Sequence, residues 1–369
     1  MLNNRLKTVI LALLIGVAAA GAQSSKDAQI KQIRKAYADA KAQIAQNGKN
    51  GMAPLDVTVT WNDGTQVDED FIINEERKLT FYFNKHRVNS ELDYPDASIC
   101  YFIVEKWSAN GHSRYREILL DPNEGTLLFS LTKSETHAGY VTESRYYYDG
   151  HGNVIEQKQK AGGGELKPGD VQWDEGDGDK ASVADLLDIF DWVMNPGHEL
   201  AELSWPVEKT APKAERLKTI RSAYAAAKDK VAKNDKADIR KDVQIVIRDQ
   251  SWGPPSTHTV NYYYETFTDQ VEPDATSTDH FCYFISERLH HNNMGSDIYN
   301  EYLFAPKSHH LIFSYTNAKE EGEQNEWRYY FDENGQCIET KTNSDPQDGG
   351  KADKDRVRKL VMIFQKITN

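Results

Sequence analysis

The side chains best suited by type and spacing to do chemistry occur twice in this chain. Glu105, Glu117 and Arg145 are matched by Glu287, Glu301 and Arg328. Glu105 and Glu117 fall on neighbouring expected strands. Two carboxylates across a cleft can supply the acid and the base of glycoside hydrolysis. Cross-strand pairing on the wet face of a sheet places the same residue types at the same spacing. Presence of the set in both copies favours pairing, because duplicated chains seldom keep catalysis in each half.

Metal ligands are sought next. The run Asp174-Glu175-Gly176-Asp177-Gly178-Asp179 suggests calcium through Asp174, Asp177 and Asp179, but no register places acids and glycine as a calcium loop requires. It reads better as a surface loop whose acids favour the start of the following helix. The pairs His290-His291 and His309-His310 point to opposite faces if they lie on strands, so neither pair gives two ligands to one ion. Ser130-Leu131-Thr132-Lys133 has the letters of a serine–lysine motif but sits in an expected strand rather than at a helix start. No glycine-rich phosphate loop and no nucleophile elbow occur, so no cofactor is expected. Cys100, Cys282 and Cys337 occupy apolar slots and read as small buried hydrophobes, with a Cys282–Cys337 bridge as the alternative.

Aromatic runs are the remaining candidates for binding. Tyr146-Tyr147-Tyr148 and Tyr329-Tyr330-Phe331 alternate faces along a strand. Tyr147 and Tyr330, if outward, would stack on sugars or grip a protein partner. Cross-strand pairing between rings is the favoured reading.

The elements that must carry these residues are repeated as well. Ile33-Arg34-Lys35-Ala36-Tyr37-Ala38 recurs as Ile220-Arg221-Ser222-Ala223-Tyr224-Ala225, and Cys100-Tyr101-Phe102-Ile103 as Cys282-Tyr283-Phe284-Ile285. Such a long period marks a duplicated domain rather than a solenoid. Each copy opens with a helix whose apolar stripe is Ile30, Ile33, Tyr37, Ala40, Ile44 or Leu217, Ile220, Tyr224, Ala227, Val231. Each closes with another, carrying Val183, Leu186, Leu187, Phe190, Val193 or Val357, Leu360, Val361, Phe364, Ile367. Between them the first copy reads as short strands near 56–61, 78–84, 98–107, 114–121, 125–133, 142–149 and 153–159, with turns at Asn62-Asp63-Gly64, Asn110-Gly111 and Gly150-His151-Gly152. A meander of this kind has one face to bury, and both helices are expected on that concave side.

Composition sets outer limits. The chain has 369 residues, with 44 Lys+Arg against 57 Asp+Glu and a formal charge of −13, which argues against a general nucleic-acid binder. Residues 1–22 read as a signal peptide: Arg5 and Lys7, an apolar run from Thr8 to Ala20, then Ala20-Gly21-Ala22, with Gln23 as the expected mature start. No later stretch is apolar for long enough to span a membrane.

The segments Tyr146-Tyr147-Tyr148-Asp149-Gly150-His151-Gly152-Asn153-Val154-Ile155 and Tyr329-Tyr330-Phe331-Asp332-Glu333-Asn334-Gly335-Gln336-Cys337-Ile338 share three aromatics followed by Asp-x-x-Gly-x-x-Ile. This resembles the hairpin unit of YD-repeat (Rhs-type) proteins, in which Asp caps a tight turn and Gly supplies positive φ. The whole layout resembles uncharacterised secreted tandem-repeat proteins of Gram-negative bacteria, which implies export and architecture but no activity.

The sequence therefore predicts an α+β chain of two similar tandem domains, each a curved antiparallel β-meander flanked by an N-terminal and a C-terminal helix. The boundaries are 1–22 signal peptide, 23–195 first domain, 196–212 Pro-rich linker and 213–369 second domain. The leading functional expectation is a non-catalytic binding or interaction protein, periplasmic or secreted, with a protein or glycan as partner. A glycan hydrolase using the carboxylate pair and a structural envelope component are the alternatives.

Overall fold

The computed structural model describes residues 26–47, 55–66, 72–86, 97–149, 151–162, 164–165, 177–194, 212–237, 240–249, 256–272, 275–291, 296–306, 310–320, 322–332, 334–344 and 350–368. The expected signal peptide 1–22, the expected linker short of Pro212, and residues 174–176 lie outside them. Helix α1 (Lys26–Asn47) leads into strands β1 (Asp56–Gln66), β2 (Ile72–His86), β3 (Ala97–Ala109), β4 (His112–Leu120), β5 (Leu127–Glu135), β6 (Val141–Tyr148), β7 (Val154–Ala161) and β8 (Gly164–Glu165), then helix α2 (Asp177–Met194). The second copy repeats this with α3 (Lys213–Asn234), β9 (Lys241–Asp249), β10 (Ser256–Glu272), β11 (Ala275–His291), β12 (Ser296–Phe304), β13 (Leu311–Glu320), β14 (Glu323–Phe331), β15 (Cys337–Thr342) and α4 (Lys351–Thr368). Among the described residues no helix is long and apolar enough to cross a membrane.

Each copy is an antiparallel meander, as the short turns imply. The two meanders do not end at the boundary between copies. They join edge to edge through β1 and β9 into one sheet, 15-stranded among the described residues, in the order β15 to β9 and then β1 to β8. The register at the junction is self-complementary. Val59 pairs with Leu79 on β2, and Ile245 occupies the equivalent place opposite Val260 on β10. Val59 and Ile245 also pair with each other, flanked symmetrically by Val57 with Ile247 and Trp61 with Val243. The copies are thus related by a local two-fold at that pair, as two subunits of a dimer would be. Arg248 holds Asp56 across the junction at 2.7 Å, and the Trp61 indole donates to the Tyr264 hydroxyl at 2.8 Å. The expected turn at Asn62-Asp63-Gly64 is instead strand. Asn62 donates to Asp242, and the Gly64 amide bonds the Arg240 carbonyl, so partners from the other copy extend the ladder.

Both faces of the sheet carry helices, which corrects the expectation of helices on one side. The closing helices cover one face. Val183, Leu186 and Phe190 of α2 and Val357, Leu360 and Phe364 of α4 share a single core with Val57, Val59, Phe81, Ile103, Val243, Ile245 and Tyr262. Helices α2 and α4 lie against one another there, with Lys366 over the Trp192 ring. The opening helices cover the opposite face in two separate patches. Ile30, Ile33 and Ala40 of α1 pack on Phe102, Leu119, Phe129 and Tyr147, while Leu217, Ile220 and Ala227 of α3 pack on Phe284, Leu303, Phe313 and Tyr330. The strands therefore carry apolar side chains at consecutive positions rather than in strict alternation.

The Asp-x-x-Gly segments form the turns the sequence implies. Asp149 accepts from the amides of His151 and Asn153, and Asp332 from those of Asn334 and Gln336. Gly152 and Gly335 take φ of 77° and 69°, where a side chain would be strained. All three cysteines are free: Cys100 and Cys282 are buried, and Cys337 is half-buried. Cys282 on β11 and Cys337 on β15 lie four strand spacings apart, about 19 Å, too far for the alternative bridge.

One core shared by both copies should unfold as one unit. Ile245→Ala, which empties space beside Val59, is expected to lower stability by about 2–4 kcal/mol. Denaturant unfolding followed by fluorescence and by circular dichroism should show one transition that moves as a whole. Two transitions, of which only one shifts, would mean two independent cores.

Candidate functional site

The two candidate glutamates of each copy do not meet. The tight turn at Asn110-Gly111 pairs Ala109 with His112 and so places Glu105 opposite Arg116, leaving Glu117 opposite Val104. Successive strand residues point to opposite faces, so Glu105 lies on the α2 side and Glu117 on the α1 side. No cleft contains both. The second copy repeats this, with Glu287 opposite Asn300 rather than Glu301. The Asn-Gly turn already carries this information, since a two-residue hairpin fixes the register on either side of it.

Glu117 anchors the opening helix. It is 2% exposed and accepts hydrogen bonds from the Tyr37 hydroxyl and Lys41 ammonium of α1 and from the Tyr115 hydroxyl of its own strand. Burial pushes its carboxyl up, but the bonds from Lys41, Tyr115 and Tyr37 pull it below the usual carboxylate range. Burial, and then the bond to Glu117, push the Tyr37 phenol up, so it stays a donor. Glu301 receives the same three donors from Tyr224, Lys228 and Tyr299. A carboxylate held by three donors has most of its acceptor sites occupied by the protein itself. Arg145 and Arg328 share this face but pair with Glu143 and Glu326 at 2.6 Å and 2.9 Å.

On the other face the copies solve one problem in two ways. Glu105 is bound by Arg77 from β2 and Arg116 from β4, both at 2.8 Å, and Arg116 also donates to Ser182 of α2 at 2.7 Å. In the second copy the places of Arg77, Arg116 and Ser182 are taken by His258, Asn300 and Arg356. Glu287 accepts from Arg356 of α4 at 2.9 Å and from Asn300 at 3.1 Å, with His258 Nε2 2.7 Å away. The arginine has moved from strand to helix, while the small polar partner has moved the other way. Burial raises the Glu287 carboxyl, but the His258 bond and the Arg356 charge outweigh it and hold the group well below its usual range.

The other candidates also find structural places. Tyr147 and Tyr330 do not face outward. They are 4% and 5% exposed, beneath the opening helices, with Arg34 and Arg221 over their rings at 5.3 Å and 5.4 Å. Covering both sheet faces buries every ring of each aromatic run. Asp174 lies outside the described residues, and Asp177 and Asp179 belong to the first turn of α2. Among the described residues no three His, Cys, Asp or Glu side chains are grouped to hold an ion. His258 and His310 have protein partners, Glu287 and the Asp332 carbonyl. Ser130-x-x-Lys133 lies in β5, with Ser130 fully buried. Sequence reasoning overlooked Arg116, Ser182 and Arg356; comparing the two copies position by position reveals them. No family model, curated protein or solved structure matches the chain.

The exchange of arginine between strand and helix is testable. Arg356→Ser should cost about 2 kcal/mol, because it strips a buried carboxylate of its cation, reduced by the partial exposure of the arginine. Adding Asn300→Arg should recover most of the loss in urea melts, as the first copy's own arrangement does. A double variant no more stable than Arg356→Ser would refute the equivalence.

Glu287 is depressed in the fold, so its contribution is full above the unfolded carboxylate value, about 4.3, and is lost as pH falls towards the folded value. Glu287→Gln should therefore be less stable than the parent by about 2–3 kcal/mol near neutrality. Melting curves down to pH 3 should show that gap closing below about pH 4.

Proposed function

We propose that the chain is an exported, non-catalytic binding protein of the periplasm or cell exterior, built as two tandem repeat units, with a glycan or a protein as partner. The observation that carries this reading is the internal saturation of the candidate acids. Glu105, Glu117, Glu287 and Glu301 are buried, each is bound by cations or hydroxyls of the protein itself, and the pair within each copy is divided between opposite faces. Glycoside hydrolysis needs two carboxylates flanking one bond from within the same cleft. The hydrolase alternative loses its residues on that ground. The arrangement instead resembles that of a rigid platform, whose buried ion pairs fix helices to a broad sheet and leave the rims and loop ends for contact.

The test is retention without turnover. The full chain, immobilised, should retain a subset of an acidic and neutral glycan array or a specific envelope protein. Incubation with the retained glycan should release no reducing ends, and Glu105→Gln and Glu117→Gln, tested singly at a temperature where circular dichroism shows each folded, should leave retention unchanged. Release of reducing ends that those substitutions abolish would overturn the proposal.

A further inference from the structure

On the α1 and α3 faces the two copies repeat most of their ion pairs, and this makes their disagreements there informative. The ion pairs Lys41–Glu117, Arg145–Glu143, Lys158–Glu156 and Arg34–Glu156 recur as Lys228–Glu301, Arg328–Glu326, Lys341–Glu339 and Arg221–Glu339. One row of the sheet breaks this rule. On the α1 face, beyond the reach of the helix core, Lys78, Lys106, Tyr115, Lys133, Glu143 and Lys160 stand opposite one another on six successive strands. The corresponding row of the second copy is Thr259, Arg288, Tyr299, Asn317, Glu326 and Asn343. The first row carries four cations against one anion; the second carries one of each.

The difference is not neutral for the fold. Lys78 and Lys106 face each other directly, both exposed, with no ion pair to either among the described residues. Like charges directly opposite on neighbouring strands are unfavourable. The second copy avoids the conflict: Thr259 replaces the first lysine, and Arg288 is held at 2.6 Å and 3.0 Å by Asp297, where the first copy has Ser113. Glu143 contacts Lys133 at 3.3 Å but is shared with Arg145. Of the other nearby acids, Glu165 stands opposite Lys160 on β8, while Glu76 and Glu135 lie one row further out, opposite Ser108 and Ser113. The first copy thus keeps a row of four cations to two anions, Glu143 and Glu165, on a protein whose net charge is −13.

We infer that this strip, Lys78, Lys106, Lys133 and Lys160 with Tyr115 between them, binds an acidic polysaccharide carrying about one anionic group per disaccharide. The inference rests on the proposed role as a binding protein and names its ligand class. Lys106, Lys133 and Lys160 lie on alternate strands, about 10 Å apart, the length of a disaccharide step. The strip runs about 24 Å across five strand spacings, enough for several sugars. Its half-buried Tyr115 offers an aromatic surface of the kind sugars contact. Its inner end continues onto the polar Thr60 and Gln244. A nucleic acid is disfavoured because its charge is far denser than this spacing, and the acidic remainder of the chain repels it. A flat anionic membrane is disfavoured because α1, about 10 Å across, stands beside the strip on the same face.

The test compares the full chain with Lys78→Thr/Lys133→Asn/Lys160→Asn, which installs residues the second copy already accommodates at these places. Fluorescence anisotropy with labelled hyaluronan oligosaccharides, one carboxylate per disaccharide, should show binding by the parent that weakens with salt. The triple variant should bind at least about tenfold more weakly, with a melting midpoint no lower than the parent's, since the Lys78–Lys106 repulsion is relieved. Equal binding by the variant, no binding by the parent, or tighter binding of oligothymidylate or phosphatidylglycerol vesicles would overturn the inference. A parent that ignores hyaluronan yet retains a neutral glycan or a protein equally with the variant sinks the strip and leaves the binding role standing. A parent that retains nothing removes both.

Discussion

The antiparallel pairing of β1 with β9 is the constraint on which the rest of the structure depends. Each meander alone would present a first strand with an open row of amides and carbonyls and the apolar side chains of Val57 and Val59, or Val243 and Ile245. Such an edge is a template for association with another chain. Here each copy supplies the other's missing neighbour, in a register centred on Val59 and Ile245, and all four residues become almost completely buried. The same pairing brings α2 beside α4 and merges the two closing-helix cores into one. It also keeps α1 and α3 on separate patches of the opposite face.

Covering both faces has an electrostatic consequence. Charged groups near the middle of the strands are enclosed under helices, and a buried carboxylate is tolerated only when donors surround it. Glu117 and Glu301 meet this requirement with the same tyrosine, lysine and tyrosine. Glu105 and Glu287 meet it with different residues in different places. Conservation of the carboxylate alongside exchange of its partners is what charge compensation in a core looks like. A reacting centre would instead need the same groups at the same geometry around a shared space.

Duplication turns the chain into its own comparison. The N-terminal helix stripes, the aromatic–Asp-x-x-Gly turns and the recurring ion pairs are repeated because each performs the same packing task twice. The lysine row of β2, β3, β5 and β7 is not repeated and lies in no core. Its cost to the fold is therefore unexplained by packing, unlike the cost of every buried ion pair described above.

The sequence by itself determined the two copies, the helix faces and the local turns. Constant offsets between apolar stripes require the same packing in both copies, and Asp149 with Gly152 or Asp332 with Gly335 forms a turn from its own neighbours. The Asn110-Gly111 turn even contained the separation of Glu105 from Glu117, since a register shift of one residue exchanges the faces of a strand. Tertiary structure alone decided the remainder. Asn62-Asp63-Gly64 has turn chemistry yet is strand, because its hydrogen-bonding partners lie in the other copy. Tyr147 and Tyr330 alternate as outward residues should, yet are buried, because a second helix covers the face that a single layer would leave wet. Which edges pair and which faces are covered depend on contacts between residues far apart in the chain, and no local pattern encodes them.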